Sequence, residues 1–266
     1  MNNDYMRFAC GNVSAFVATS FVHPMDVIKI SKQLNIKPQY NFSNLYRGYT
    51  IGLLRQATYS SPNVFIFTQL LNNYKKKNNN SEPEYLRKLL YGSFSGAISG
   101  FTGNPSEVIL VRAIQPDKPK QTFIKYSRDV YNQYGLRGFF NGYKAAISRS
   151  LVFNGTRLSL YSQCKTILIN KYPSLKNTTT LHFMTGAIST ISAIIISNPI
   201  DVIKARAQKA DAVTIPEIVK TAYKNEGFSI LYKGLFPSIS KSLPHSIISF
   251  VVLEKMMLLI TGKEAI

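Results

Sequence analysis

One hexapeptide pattern, proline followed two residues later by an acid, occurs three times. Pro24-Met25-Asp26-Val27-Ile28-Lys29 returns as Pro105-Ser106-Glu107-Val108-Ile109-Leu110 and again as Pro199-Ile200-Asp201-Val202-Ile203-Lys204. Each copy is followed by a glycine landmark: Leu45-Tyr46-Arg47-Gly48, Phe140-Asn141-Gly142 and Leu231-Tyr232-Lys233-Gly234. A chain repeating at roughly 90 residues is built from one supersecondary unit used three times, and each unit covers its apolar face with the next. The repeats divide as 1–80, 81–175 and 176–266. The first is trimmed between its landmarks, with Pro24 and Gly48 much closer than the later pairs.

Each repeat reads as helix, loop with a short helix, helix. The first helices are expected at roughly 6–34, 84–114 and 179–208, and the second at roughly 50–75, 143–170 and 235–261. Small residues precede each proline at helical spacing: Gly11 and Ala15; Gly92, Gly96 and Gly100; Gly186 and Thr190. Such spacing lets helix backbones approach closely in a membrane. Each proline removes one backbone hydrogen bond and bends its helix. Three equivalent bends predict a threefold bundle that narrows at one end. The basic, Asn-rich stretches Lys75–Asn80 and Lys171–Lys176 read as solvated links between repeats.

Hydropathy alone does not decide between a soluble and a membrane bundle. Mean hydropathy is −0.03, and no stretch is a run of about 20 apolar residues free of polar ones. Helices that face lipid on one side and water on the other carry that mixture. Net charge is +19, from 32 Lys+Arg against 13 Asp+Glu, which calls for an anionic partner. Cys10 and Cys164 sit in no metal or redox spacing, and His23, His182 and His245 form no cluster with acids or cysteine. No metal, cofactor or enzymatic chemistry is expected. The first eleven residues have neither a signal-peptide core nor an Arg-rich presequence, so any membrane address is expected within the helices.

The charged residues fall on matched positions. Asp26 and Lys29 share a helix face, being three apart. Seven residues after each landmark glycine stands a base: Arg55, Arg149 and Lys241. One turn further come Tyr59, Phe153 and His245, with Asn63 a turn beyond Tyr59 and Arg157 two turns beyond Arg149. Three cations at one depth of a membrane require a wet cavity and a counter-ion. A ring of bases with flat side chains above it suits a ligand with several negative charges and a ring to stack, and a phosphorylated nucleotide fits that description. Helix packing or a lipid-interface belt is the other explanation for the aromatics.

Over essentially its whole length the chain resembles the mitochondrial carrier family, whose signature is Pro-x-acid-x-x-base three times, each with an aromatic-base-Gly landmark. As a whole it looks like a carrier of the kind encoded by giant viruses. The resemblance implies an all-α membrane protein, three two-helix repeats forming six transmembrane helices with pseudo-threefold symmetry around a central cavity. It implies a multi-pass protein of the inner mitochondrial membrane (of a host cell, if the chain is viral), acting as a monomer by alternating access. By the family's cyclic pattern a matrix gate pairs Glu107 with Lys204 and Asp201 with Lys29. Gln33 and Gln208 brace those pairs, while Asp26 faces Leu110 where a base is usual, unless Arg112 reaches across. The opposite, cytoplasmic gate falls at Thr68, Ser162 and Glu254 with Leu71, Lys165 and Met257, of which only Lys165 and Glu254 can pair. Arg55, Arg149 and Lys241 fall on the family's substrate contact points.

The family sorts substrates partly by the pair at the second contact point. Arg149-Ser150 leans toward keto-acid carriers and away from adenine-nucleotide carriers, and the Arg-Arg-Arg-Met-Met-Met run of ADP/ATP carriers is absent. The sequence reading still places a nucleotide or deoxynucleotide exchanger first and a di- or tricarboxylate or keto-acid carrier second. A basic nucleic-acid-binding helical protein would explain +19 but not the three prolines, and no nucleic-acid-binding signature appears. Anionic lipid, cardiolipin in this membrane, is the expected partner of Arg47, Lys233, Lys125 and Arg128.

Overall fold

The computed structural model describes residues 3–79, 81, 83–115, 120–173, 179–209 and 215–261. Six helices among them are 27 residues or longer: α1 (Asn3–Gln33), α3 (Tyr49–Lys77), α4 (Tyr85–Ala113), α6 (Tyr143–Lys171), α7 (Thr179–Lys209) and α9 (Leu235–Thr261). At 1.5 Å per residue each is long enough to cross a bilayer. Between the members of each pair lies a shorter helix: α2 (Phe42–Leu45), α5 (Phe123–Tyr134) or α8 (Ile215–Glu226). The trimmed loop of the first repeat leaves α2 one turn long. Successive long helices pack on one another and α9 packs back on α1, so the six close into a ring. Lys75, Lys76 and Lys77 end α3 rather than linking it to α4, where cations favour the negative end of the helix dipole. Asn80 and residues 174–178 lie outside the described residues.

The outside of the ring is apolar. Phe94, Phe183 and Ile196 are exposed, and Leu259 is 85% exposed. Ala9–Gln33, Phe183–Lys209 and Phe228–Ile260 are long and apolar enough by composition to cross a membrane. The other long helices carry polar residues on faces turned to their neighbours. Many hydroxyls of the long helices are satisfied within their own helix: Ser14, Thr19, Ser95, Ser99 and Thr185 each donate to a carbonyl three or four residues back. Such local bonds spare the cost of burying an unpartnered hydroxyl.

The small-residue stripes behave unequally. A side chain at Gly96 would strike Asn154 and Ser150, and one at Gly100 would meet Ala146, so α4 and α6 do approach closely there. Gly11 and Gly186 face open space, and the expected close approach is absent at both.

Pro24, Pro105 and Pro199 lie inside α1, α4 and α7. The residue before each proline ties that helix to its landmark loop. His23 Nε2 lies 3.1 Å from the Arg47 carbonyl. Asn104 Nδ2 donates to the carbonyls of Phe139 (2.8 Å) and Asn141 (3.1 Å), and Asn198 Nδ2 to that of Leu231 (2.7 Å). The landmark glycines then start α3, α6 and α9 at φ of +72°, +75° and +81°. That left-handed conformation favours glycine, and there is no room for more. A Cβ on Gly142 would lie 3.3 Å from the Lys204 carbonyl, and one on Gly234 would lie 3.1 Å from that of Lys29. Each loop thereby rests on the post-proline turn of the next repeat, and the third rests on the first.

An apolar plug fills the bottom of the ring at this end. It joins Val27, Ile30 and Leu34 of α1, Ile51 of α3, Ile109, Leu110 and Val111 of α4 and Tyr126 of α5.

Asn104 makes two carbonyl bonds and also accepts one from Gln208 Nε2 at 3.2 Å, whereas Asn198 donates to one carbonyl. Each buried polar group stripped of its partner costs about 1–3 kcal/mol. Asn104→Ala is therefore expected to lower the melting temperature in detergent more than Asn198→Ala, by several degrees at about 2–4 °C per kcal/mol. Circular dichroism melts check this; an equal or larger loss at Asn198 contradicts it.

Candidate functional site

The post-proline turns of α1, α4 and α7 converge above the apolar plug. Two ion pairs cross between them. Lys29 Nζ lies 3.1 Å from Asp201 Oδ2, and Lys204 Nζ lies 2.6 Å from Glu107 Oε2. These are the partners that the cyclic pattern pairs. At the third crossing Leu110 is 1% exposed and belongs to the plug. Asp26 turns instead to the second helices. Lys241 Nζ of α9 donates to both its oxygens, at 2.6 and 2.8 Å, and Arg55 Nη2 of α3 lies 3.6 Å away. Arg112 does not take the vacant place: its guanidinium lies 4.6 Å from the ring centroid of Tyr134.

Arg55, Arg149 and Lys241 all line one central cavity of about 110 Å³, together with Tyr59, the acids Asp26, Glu107 and Asp201, and the bases Lys29 and Lys204. Arg149 Nε lies 2.8 Å from Asp201 Oδ1, opposite the oxygen taken by Lys29. Every base of the ring therefore has a carboxylate of the crossing network as neighbour, which the matched spacing did not reveal. The physical reason is desolvation. Asp26 and Asp201 have side chains only 8% and 7% exposed, and a carboxylate so buried is costly unless cations and N–H donors surround it.

The flat side chains are engaged with the protein. Phe153 has the Arg149 guanidinium 4.7 Å and the Arg157 guanidinium 5.8 Å from its ring centroid, both within cation–π range. Tyr59 packs against Gly103, and its hydroxyl lies 3.4 Å from Ser150 Oγ. Asn63 and His245 are half-buried, and Arg157 is exposed. The expectation of free aromatic faces above the bases thus fails at Phe153, where two guanidinium groups already sit.

Gln33 and Gln208 do not brace the crossing pairs through their amide N–H groups. Gln208 Nε2 donates to Asn104, and Gln33 Nε2 has no hydrogen-bond partner. Their stems lie under Gly234 and Gly142 instead. At the opposite end no ion pair among the described residues joins Lys165 to Glu254. Arg47, expected at the lipid surface, is buried and donates to the Ala113 carbonyl at the end of α4. Lys125 and Arg128 are exposed on α5. The ties from His23, Asn104 and Asn198 escaped the sequence reading. Their one signal was an amide residue before two of the three prolines.

The family model for mitochondrial carrier proteins matches residues 81–172 and 176–264. A mitochondrial 2-oxoglutarate/malate carrier protein of Caenorhabditis elegans is 27% identical, over 94% of this chain and 91% of that protein. One from Mus musculus is 28% identical, over 94% and 90%. Mitochondrial uncoupling protein 5 of Arabidopsis thaliana is 24% identical, over 93% and 95%. A six-helix ring, three proline-centred turns crossed by ion pairs and a family match over more than half the residues lead to one assignment: the chain belongs to the mitochondrial carrier family, whose members are transporters and not enzymes.

Proposed function

We propose that this carrier exchanges small dicarboxylate or keto-dicarboxylate anions across the inner mitochondrial membrane, binding them at Arg55, Arg149 and Lys241. The observation that carries this reading is the charge of the cavity. Its lining holds five bases, Lys29, Arg55, Arg149, Lys204 and Lys241, against the three carboxylates of Asp26, Glu107 and Asp201. Two positive charges remain, and a dianion neutralises them. A nucleoside triphosphate carries more charge than that, and Phe153 already holds two guanidinium groups. The Arg149-Ser150 pair and the relatives named 2-oxoglutarate/malate carriers point the same way. A nucleotide remains the second reading, favoured by Arg157, exposed two turns above Arg149, where a further phosphate would fit.

In this reading Asp26, Lys29, Glu107, Asp201 and Lys204 close the matrix side, with Gln33 and Gln208 filling the space beneath the landmark glycines. Lys165 and Glu254 belong to a weak cytoplasmic gate that stands apart here. Tyr59, Asn63 and Phe153 shape the cavity wall. One chain encloses the whole path, so a monomer suffices. Cardiolipin is the lipid partner of the exposed bases on α5, Lys125 and Arg128.

Liposomes loaded with labelled malate and challenged with dicarboxylates, tricarboxylates and nucleotides test the substrate class. Exchange for dicarboxylates is expected; exchange for nucleotides alone overturns it. Arg55→Ala, Arg149→Ala and Lys241→Ala are each expected to reduce exchange about tenfold or more, since a hydrogen bond to a charged group is worth about 1.5–3 kcal/mol. Normal transport by all three removes the proposed site. In the same assay Lys204→Ala is expected to slow exchange more than Lys165→Ala, because the first breaks a 2.6 Å pair and the second breaks none.

A further inference from the structure

Gly103 sits two residues before Pro105, where the first repeat has Val22 and the third has Ser197. The second repeat alone puts no side chain there, and α3 takes up the space. A Cβ on Gly103 would lie 2.9 Å from Cβ, 3.2 Å from Cδ2 and 3.3 Å from Cα of Tyr59. Two hydrogen bonds pin the same turn of α3 to α4 on either side of this contact. Thr102 Oγ1 donates to the Thr58 carbonyl at 3.0 Å, and the Thr58 and Ser106 hydroxyls lie 2.7 Å apart. Tyr59 therefore rests on bare α4 backbone at one end. At the other end its hydroxyl reaches Ser150 Oγ of α6, on the far side of α4.

Tyr59 is also the one aromatic among the described residues that line the central cavity. The other lining residues of the second helices, Arg55, Arg149 and Lys241, are long cations with several rotatable bonds. The tyrosine ring is rigid and held at both ends.

We infer that Gly103 is a specificity-determining positioning residue, which by leaving α4 bare seats Tyr59 as a fixed side wall of the cavity and so sets the size of anion admitted. The inference rests on reading this cavity as the substrate site. Glycine weakens the interior of a helix, so its place here calls for a packing reason, and Tyr59 supplies one. A methyl group at position 103 meets the Cβ and Cα of Tyr59 and not the far end of a flexible side chain. The two bonds to Thr58 hold the α3 main chain, so the ring yields on its open side, which is the cavity. Removing the ring moves the wall back to the backbone of α4. A pocket that differs by one methylene discriminates between ligands by about tenfold or more.

The test compares the wild type, G103A, Y59G and the double variant G103A/Y59G in liposomes. Exchange efficiency, maximal rate over KM, is measured for adipate and for succinate, which share a charge and differ in length. GMP and UMP take their place if the wild type exchanges nucleotides and no dicarboxylate. The ratio of the longer to the shorter anion is expected to fall about tenfold in G103A and to rise about tenfold in Y59G. The double variant is expected to match Y59G within about twofold, because Gly103 acts through the ring that Y59G has removed. A merely structural role for Gly103 would lower the amount of active carrier and leave the ratio alone. A G103A carrier that melts within a few degrees of the wild type with an unchanged ratio overturns the inference. So does an unchanged ratio in Y59G, or a double variant that falls below Y59G by the factor separating G103A from the wild type. If G103A does not fold, the double variant decides, since there the new methyl meets only the Cα at position 59. Folding with the ratio of Y59G supports the inference, and failure to fold where Y59G folds overturns it. Normal exchange by both Arg55→Ala and Lys241→Ala marks failure of the site reading instead, a result that the ratios do not imitate.

Discussion

The carboxylates of Asp26 and Asp201 are buried and that of Glu107 is half-buried, and the inner end of the ring is organised around supplying each with cations. Burying an ion without a partner costs several kcal/mol, so the helices that carry these acids cannot settle until the bases arrive from other helices. Lys29 and Lys204 come from the neighbouring first helices, and Arg149 and Lys241 come from the second helices. The same contacts that close the bundle also hold the bases in position around the cavity. Closure and solute recognition share their charges.

Around this network the remaining features follow. Charges and hydroxyls point inward or fold back on their own helices, which leaves the outer face for apolar side chains such as Phe94, Phe183 and Leu259. The chain therefore has near-zero mean hydropathy and yet exposes many large apolar side chains on the outside of the ring. The apolar plug is built from the residues that flank these charges in sequence, Val27 and Ile30 beside Asp26 and Lys29 among them. The landmark loops, tied by His23, Asn104 and Asn198, set the distance between each second helix and the next first helix.

Architecture was legible because it is periodic. The three prolines, the three glycines and the helical spacing of small residues fixed six helices to within a few residues of their observed ends, as at Tyr143–Lys171 and Leu235–Thr261. The partners of Lys29 and Lys204 were legible by symmetry. What symmetry hid was every place where it is broken. Leu110 could be read as a missing base, but not that Lys241, far along the chain, would hold Asp26 as Arg149 holds Asp201. Phe153 looked like a stacking platform because it lies one turn beyond Arg149, a spacing shared with an ordinary packed aromatic, and the spacing did not show that Arg149 and Arg157 both sit on its ring. Gly11 and Gly186 matched the small-residue spacing of Gly96 and Gly100, yet only contacts across helices distinguish a close approach from an empty face.

The closure of α9 on α1 also sets an order of assembly. Asp26 and Lys241 are separated by 215 residues, and Lys29 and Asp201 by 172. Contacts so distant in sequence form late, since each requires closing a long loop before it returns any stability. A fragment of two repeats holds the acid of the first with neither Lys241 nor Asp201's neighbourhood available. There Asp26 keeps Arg55 but loses Lys241, and Lys29 loses Asp201. Closing the ring therefore waits on the third repeat, which brings both Asp201 and Lys241 to the first.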